Sequence, residues 1–232
     1  MRSLVAGRAR LGGCSVTLPR EEVVPGTLAE FEAFEALVRS LDTSELGVAT
    51  RCSGWSAGDV AAHVIGQLAD ITAGNFDGLG TPEVTERQVA ERRGRSSAEL
   101  ADEMAAARAT AVVILDTFDA GAWAGPGPTG TGTLGDGVEA LWFDASLHAD
   151  DIRHALGRPS DLSTATRASI SHIAQILTDQ GYAGATLALD GVEAFPVSGG
   201  GPEINGSCDQ FVLVADLQAL TDNAGNPSKV AP

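Results

Sequence analysis

Four stretches of the chain repeat apolar residues at every third or fourth position, and this spacing constrains the fold more than any other feature. The first stretch is TLAEFEAFEALVRSL at 27–41, and the second is SAGDVAAHVIGQLADI, which starts at Ser56. The third begins near Ser96, and the fourth spans 134–156. Such spacing is typical of helices that bury one face. Four of these helices in succession predict a helical bundle.

Residues that begin or end helices stand at the edges of these stretches. Ser56 and Ser96 are each followed three positions later by an acidic residue, a spacing typical of the capping box. Gly157, with Pro159 shortly after it, is expected to end the fourth helix. The segment GAWAGPGPTGTGTLGDG at 121–137 is rich in Gly and Pro and predicts a loop. Because it contains neither GKS nor GKT, we interpret it as a flexible connection and not as a phosphate-binding loop.

The pattern changes after the fourth helix. DLSTATRASISHIAQILTDQ, at 161–180, has the spacing of one further helix. ATLAL and VEAFPV are separated by Asp190 and Gly191, which predicts a β-hairpin. CDQFVLVADLQAL, at 208–220, fits either a strand or a helix, and its apolar spacing favours a helix.

These patterns predict the α+β fold class, with an N-terminal helical bundle followed by a small α+β domain. The predicted bounds are 25–160 for the bundle and 161–222 for the small domain. We expect a disordered extension at 1–24 and a disordered tail at 223–232.

Composition narrows the classes of partner. The 232 residues carry a formal net charge of −16, which repels phosphate backbones and anionic lipid surfaces. No apolar run approaches the ~20 residues of a membrane span. We therefore expect no nucleic-acid and no membrane partner, and a small-molecule substrate instead. Three widely separated cysteines without a CxxC pair indicate reduced thiols and a cytoplasmic location.

Polar residues lie within the apolar stripe of the fourth helix. Asp144 and His148 are four positions apart and share one helix face, and Asp151 continues the line. His63 holds a similar place on the second helix, between two valines. Burying an acid or an imidazole alone costs several kcal/mol, unless it meets a partner. A buried His–Asp hydrogen bond is one solution, and a shared cation in the bundle core is another.

One carboxylate and two imidazoles suit a divalent first-row metal, zinc above all, and leave coordination positions open. Open positions are typical of catalytic and not of structural metal sites. The residues thus make His63, Asp144 and His148 candidates for a metal site, with a buried His–Asp hydrogen bond as the alternative.

Two motifs carry a resemblance to a known family. RCSGWSAGDVAAHVIGQ contains a Gly-Trp-Ser turn and then a helix with a single histidine, at Gly54, Trp55, Ser56 and His63. DASLHADDIRHALGRP contains an acid-x-x-x-His-x-x-Asp helix that ends in Ala-Leu-Gly, with matches at His148, Asp151, Ile152, Arg153 and Gly157. In this order the motifs resemble the actinobacterial mycothiol-dependent maleylpyruvate isomerase family, part of the DinB-like superfamily. The resemblance implies a DinB-like four-helix bundle over 25–160. Over 161–222 it is weaker and implies a small α+β domain related to sterol-carrier folds.

The resemblance also implies a chemistry. Members of the family bind zinc or a related divalent metal through three bundle residues, which fall on His63, Asp144 and His148. They use mycothiol, a low-molecular-weight thiol, as cofactor. Asp151 matches the conserved acid of the family's helix. It could orient a ligand imidazole or Arg153, and an interhelical hydrogen bond is an equally weighted alternative.

The chain departs from the family pattern at two points. The usual ligand at position 144 is Glu, and Asp144 is one methylene shorter. The isomerases also carry an arginine in the C-terminal domain that helps to hold the substrate carboxylates, whereas no arginine follows Arg167 here. A dianion would in addition meet a strongly acidic chain, so we expect a substrate other than maleylpyruvate itself.

Three functions remain open on this basis. The first is a metal-dependent enzyme that uses a mycothiol-like thiol for isomerisation or S-transfer on a small electrophile. The second is a non-catalytic DinB-like module with a degenerate metal site, which binds an apolar ligand or a protein partner. The third is a redox sensor that uses a metal and Cys52, although a small apolar role for Cys52 is favoured. We expect His154 to lie outside the cluster and His172 to be a surface or packing residue.

Overall fold

The computed structural model describes residues 18–130 and 132–214. The helices are α1 (Arg20–Arg39), α2 (Thr43–Leu46), α3 (Ala57–Thr72), α4 (Pro82–Ala90), α5 (Ser97–Asp116), α6 (Ala120–Trp123), α7 (Leu134–Ala155) and α8 (Thr166–Asp179). The strands are β1 (Ala185–Leu189), β2 (Phe195–Val197) and β3 (Glu203–Gly206). Residues 208–214 are helical, in agreement with the helix favoured for 208–220, whose remainder lies outside the described residues.

The four long helices α1, α3, α5 and α7 form the predicted bundle. Helix α1 packs against α5 and α7, and α3 packs against the same two helices. Their apolar stripes meet in one core, which includes Phe34, Val60, Ile65, Met104 and Ile152. Each of these side chains is fully buried. The apolar spacing in the sequence therefore predicted these four helices and the faces through which they pack.

Side chains at the helix starts hold the bundle's ends in place. The capping boxes predicted at Ser56 and Ser96 are present, and Thr133 forms a third one at the start of α7. Gly157 follows α7 with a φ of +64°, a left-handed conformation that glycine adopts without strain. The fourth predicted helix accordingly begins and ends where the sequence indicates.

The first helix begins earlier than the sequence suggests. It starts at Arg20, which corrects the predicted disorder for residues 18–24; residues 1–17 lie outside the described part. Pro25 stands inside α1 and hides the helical pattern, since proline usually interrupts helices. Leu18 and Val23 are nevertheless buried. The Leu18 N–H donates to Glu139 Oε2 at 2.8 Å, so this segment is tied to α7.

Helix α4 has no counterpart among the predicted helices. It contains only two valines among nine residues, too few to mark an apolar face. It packs closely on α3, where a Cβ added at Gly66 would lie 2.6 Å from Gln88 Cβ. Glycine at this position is therefore what lets α4 approach.

The C-terminal region consists of α8 and a three-stranded sheet of order β2-β1-β3. Strands β1 and β2 pair antiparallel, which confirms the predicted hairpin. Strand β3 pairs parallel to β1 and was not predicted. Helix α8 packs against α7, and a second core joins Trp142 of α7 to Ile170, Leu187 and Phe195. The overall class is α+β, as expected, while the domain boundary at 160 and the sterol-carrier likeness stay predictions.

Candidate metal centre

Two helices bring the three predicted ligands together at the bundle core. His63 projects from α3, and Asp144 and His148 project from α7. Their ligand atoms lie within 4.8 Å of one another. Asp144 Oδ1 is 3.6 Å from His148 Nε2, and Asp144 Oδ2 is 3.9 Å from His63 Nε2. The two imidazole rings meet edge to face, with centroids 5.2 Å apart. The shorter aspartate thus still reaches both histidines.

The polar atoms of this cluster fit a cation. Ligands at 2.0–2.2 Å from a tetrahedral zinc ion stand about 3.3–3.6 Å apart, close to the separations seen here. Asp144 Oδ2 is buried and has no hydrogen-bond partner among the described residues. A buried carboxylate oxygen without a partner is costly, and a metal ion removes that cost. The Asp144 side chain is 26% exposed, so the cluster is open on one side.

The other nitrogen of His148 faces a closed polar network. His148 Nδ1 lies 2.8 Å from Asp151 Oδ2. A proton on Nδ1 would be donated to this carboxylate and would leave the Nε2 lone pair directed at the cluster with Asp144. Asp151 thus contacts the imidazole of His148, which is one of the two partners expected for it. Its second oxygen accepts from Arg51 and not from Arg153.

The network also includes Arg51, Cys52 and Asp150. Their grouping was not expected from the sequence. Arg51 NH2 donates to Asp150 Oδ2 at 2.7 Å, and the Cys52 thiol donates to Asp151 Oδ2 at 3.1 Å. Cys52 Sγ also lies 3.9 Å from His148 Nδ1. Arg51 and Cys52 are the first two residues of the run RCSGWSAGDVAAHVIGQ, so their place before the histidine helix was the available signal.

The charges in the cluster shift its acid–base equilibria. Burial raises the pKa of Asp144, but the nearby His148 and His63 outweigh it and hold that pKa below its usual value. Burial lowers the pKa of His148, but Asp144 and Asp151 outweigh it and hold that pKa well above its usual value. Without a metal, the cluster therefore favours a carboxylate beside a protonated imidazole.

Cys52 differs from a reactive thiol. It is only 7% exposed, and burial raises its pKa above the usual value. Reactive cysteines are accessible and have lowered pKa values. The favoured role for Cys52, a small buried residue beside the cluster, agrees with these properties better than the redox-sensor hypothesis does.

A large cavity lies one helical turn from the cluster, although none of the three cluster residues is in its lining. Its volume is about 840 Å³, and its walls are mostly apolar, with Phe31, Leu68, Ile71, Phe76, Ile114 and Leu141 among the lining residues. Leu141 precedes Asp144 by one helical turn, and Gln67, also in the wall, follows His63 by one turn. The loop that the sequence presents as a flexible connection contributes Pro126 and Pro128 to the wall.

The remaining predicted residues lie as follows. His154 is exposed and outside the cluster, as expected. His172 of α8 lines the cavity, and its ring centroid is 5.2 Å from that of Phe143. Trp55 lies beside the cluster, with its ring 5.4 Å from that of His63, while Trp142 is a core residue. None of the described helices is long and apolar enough to cross a membrane.

Comparison with known proteins gives one family and one fold. The model of the mycothiol maleylpyruvate isomerase N-terminal domain matches residues 27–153, more than half of the 232 residues. The fold is similar to a crystal structure of the mycothiol-dependent maleylpyruvate isomerase, with a TM-score of 0.62, 20% identity, and coverage of 85% of this chain and 89% of that chain. A mutant of that isomerase, with one histidine replaced by alanine, gives a TM-score of 0.59 at the same identity and coverage. No curated protein matches the chain significantly.

Proposed function

Because the chain belongs to the mycothiol maleylpyruvate isomerase N-terminal domain family, we propose that it is a metal-dependent enzyme that uses mycothiol or a similar thiol. Its reaction is isomerisation or S-transfer on a small electrophile. The observation that carries this proposal is the cluster of His63, Asp144 and His148 with its unpartnered carboxylate oxygen, one helical turn from a large cavity.

We propose zinc as the metal. Two imidazoles and one carboxylate form a ligand set that zinc prefers, and three protein ligands leave a position for an exchangeable group. The partial exposure of Asp144 supports such an open position. When bound, the metal would lower the pKa of the cofactor thiol and polarise a substrate carbonyl.

The chain's own residues divide the remaining work. Asp151 would fix the His148 ring and its tautomer through the 2.8 Å contact at Nδ1. Arg51 would hold Asp151 in place, because its guanidinium bonds both Asp150 and Asp151. Asp151 is thus a positioning residue in this proposal, since it acts through His148.

The cavity would hold the thiol and the electrophile. Its walls come from the bundle and from α8, which contributes His172, Gln175 and Ile176. We propose that residues 25–160 supply the metal site and that helix α8 completes the wall of the cavity. A cytoplasmic location is part of the proposal, supported by Cys52 and Cys208, which are unpaired and buried.

A thiol-dependent rate measurement tests the proposal. The zinc-loaded chain is incubated with mycothiol and either maleate or diethyl maleate, and isomer ratios and thiol consumption are followed by NMR. Turnover above the uncatalysed rate should require both zinc and thiol. It should be lost in His148→Ala and retained in His154→Ala, which removes an exposed histidine from the same helix.

The non-catalytic alternative makes the opposite prediction. Asp144 in place of the family's glutamate is the observation that favours it, since a shorter ligand could leave a degenerate site. Rates equal to the background with both substrates, in a chain shown to contain zinc, would contradict the enzyme proposal and support the alternative.

A further inference from the structure

The cavity one helical turn from the cluster of His63, Asp144 and His148 is lined by two acids and, among the described residues, by neither lysine nor arginine. We propose that the electrophile it accepts is uncharged and largely apolar, such as an unsaturated ester, and is not a carboxylate. The inference rests on the proposed function, because it names the substrate class for the same site. It goes beyond that function because neither the family match nor the similar structures specify such a substrate.

The charged side chains that line the cavity, among the described residues, are negative. Within the part of the chain that the structure describes, neither lysine nor arginine is among the residues that line it. The charged residues in its wall are acids: Asp136 at the start of α7 and Asp179 at the end of α8. A carboxylate that enters would therefore lose water without gaining an ionic partner from the wall. An uncharged ester avoids this loss.

His172 does not supply the missing charge. Burial is the main cause that lowers its pKa to about 4. The imidazole is therefore neutral near pH 7 and can offer a hydrogen bond but no ion pair. A neutral donor or acceptor of this kind suits a carbonyl or ester group.

Arg20 is also committed elsewhere. Its Nη2 donates to the carbonyl of Leu115 at 2.8 Å. Its guanidinium carbon lies 5.9 Å from the centroid of the Trp123 ring. These contacts hold the guanidinium against the helix end and the indole.

A metal at the cluster compensates one negative charge at most. A divalent ion bound by one carboxylate, Asp144, retains a single net positive charge. The second charge of a dicarboxylate would consequently find no positive group among the described residues that line the cavity. The site can accept a polarised carbonyl next to the metal without this difficulty.

A binding experiment tests the charge preference without any catalysis. The zinc-loaded chain is titrated with Nile red, a neutral apolar dye, and the dye is displaced with diethyl succinate, monoethyl succinate or succinate. These saturated compounds do not react with thiols. Diethyl succinate should displace the dye at a concentration at least about tenfold lower than succinate, because a buried unpaired charge is strongly disfavoured.

Two pairs of variants locate and sharpen the effect. Gly137 lines the cavity and a Cβ there would meet no atom within 4 Å, so Gly137→Phe should occupy part of the cavity and weaken dye binding. Gly206→Phe, with equal space but outside the lining, is the control. Asp179→Arg should reduce the difference between the concentrations at which diethyl succinate and succinate displace the dye, whereas Asp116→Arg should not. Both acids end their helices, but only Asp179 lines the cavity.

Three outcomes would overturn the proposal. They are displacement by succinate at equal or lower concentration than by the diester, dye binding unaffected by Gly137→Phe, and no dye binding at all. The zinc content of the same samples reports on the metal site separately. A chain with zinc that prefers succinate would refute the substrate class alone, and a chain without zinc that prefers the diester would refute the metal enzyme alone.

Discussion

The two nitrogens of His148 face surroundings that differ in almost every respect. On the Nδ1 side, Asp151 and Arg51 form a closed set of hydrogen bonds. On the Nε2 side, Asp144 Oδ2 has no hydrogen-bond partner among the described residues, and the Asp144 side chain is partly exposed. Hydrogen bonds at Nδ1 restrain the ring, whereas Nε2 and Asp144 Oδ2 are available to a further partner. A metal ligand requires this difference, because a ring fixed at one nitrogen presents the other in a defined direction.

The largest expected effect on zinc affinity comes from Asp144, on the Nε2 side of His148, which we call the open side. Asp144→Ala should weaken zinc binding by more than the about 10–100-fold that follows the loss of an outer hydrogen-bond partner. Affinity is measured by competition with a chelating dye. Asp116→Ala, an exposed acid of α5, serves as the control for net charge. If Asp144→Ala bound zinc as tightly as the natural chain, the open side would not be a metal site.

The Nδ1 side of His148, which we call the closed side, should contribute less to zinc affinity. Asp151→Asn removes the charge that orients His148 and should weaken zinc binding about 10–100-fold, with the fold retained. Asp150→Asn is the matched control, since Asp150 also bonds Arg51 but does not contact His148 in the described structure. Equal losses in both variants would assign the effect to Arg51 and its local structure, and not to the His148 ring.

Glu139 is a buried acid outside this cluster, and its pKa is shifted in the opposite direction to that of Asp144. Burial raises the pKa of Glu139 from 4.5 to about 7, whereas histidine neighbours lower that of Asp144. Because the folded pKa of Glu139 is the higher one, its contribution to stability is complete below pH 4.5 and is lost as the pH rises through 7.

Glu139→Gln keeps an acceptor for the Leu18 N–H but removes the buried charge. At about pH 8 it should raise the free energy of unfolding by about 2 kcal/mol, and at about pH 5 it should change it little. Urea unfolding at both pH values measures the difference. The exposed Glu83→Gln should be neutral at both, and an equal effect of Glu139→Gln at the two pH values would contradict the assignment.

The smallest effect is expected at Cys52. Cys52→Ala removes a thiol that donates to Asp151 at 3.1 Å, a weak hydrogen bond, and should reduce zinc affinity by less than about threefold. The native thiol should also resist alkylation, because it is buried. Rapid labelling of Cys52, detected by mass spectrometry, would revive the redox-sensor hypothesis.

Local spacing explains what could be predicted from the sequence. The apolar stripes of the four long helices lie at fixed angular positions, so their buried faces follow from the sequence alone. For the same reason Asp144 and His148 could be placed on one face of α7. Their approach to His63 within 4.8 Å depended on pairing α3 with α7, which the bundle interpretation made reasonable.

Other features depend on contacts that no local pattern carries. Arg51 and Cys52 stand in a turn without periodicity, and only the packing of that turn against α7 brings them to Asp150 and Asp151. His172 reaches the cavity because α8 packs against α7. Strand β3 pairs parallel to β1, and β2 lies between them in the sequence. A parallel pair is not joined by a tight turn, so no hairpin signal in the sequence marks it.

The central claim is that His63, Asp144 and His148 hold a metal, and metal content tests it most directly. The chain is purified without a metal-affinity tag, and its zinc is determined by elemental analysis beside His148→Ala and His154→Ala. We expect about one divalent ion per chain in the natural protein and in His154→Ala, and almost none in His148→Ala. If the natural chain takes up no metal even after incubation with zinc, these three residues do not form a metal site.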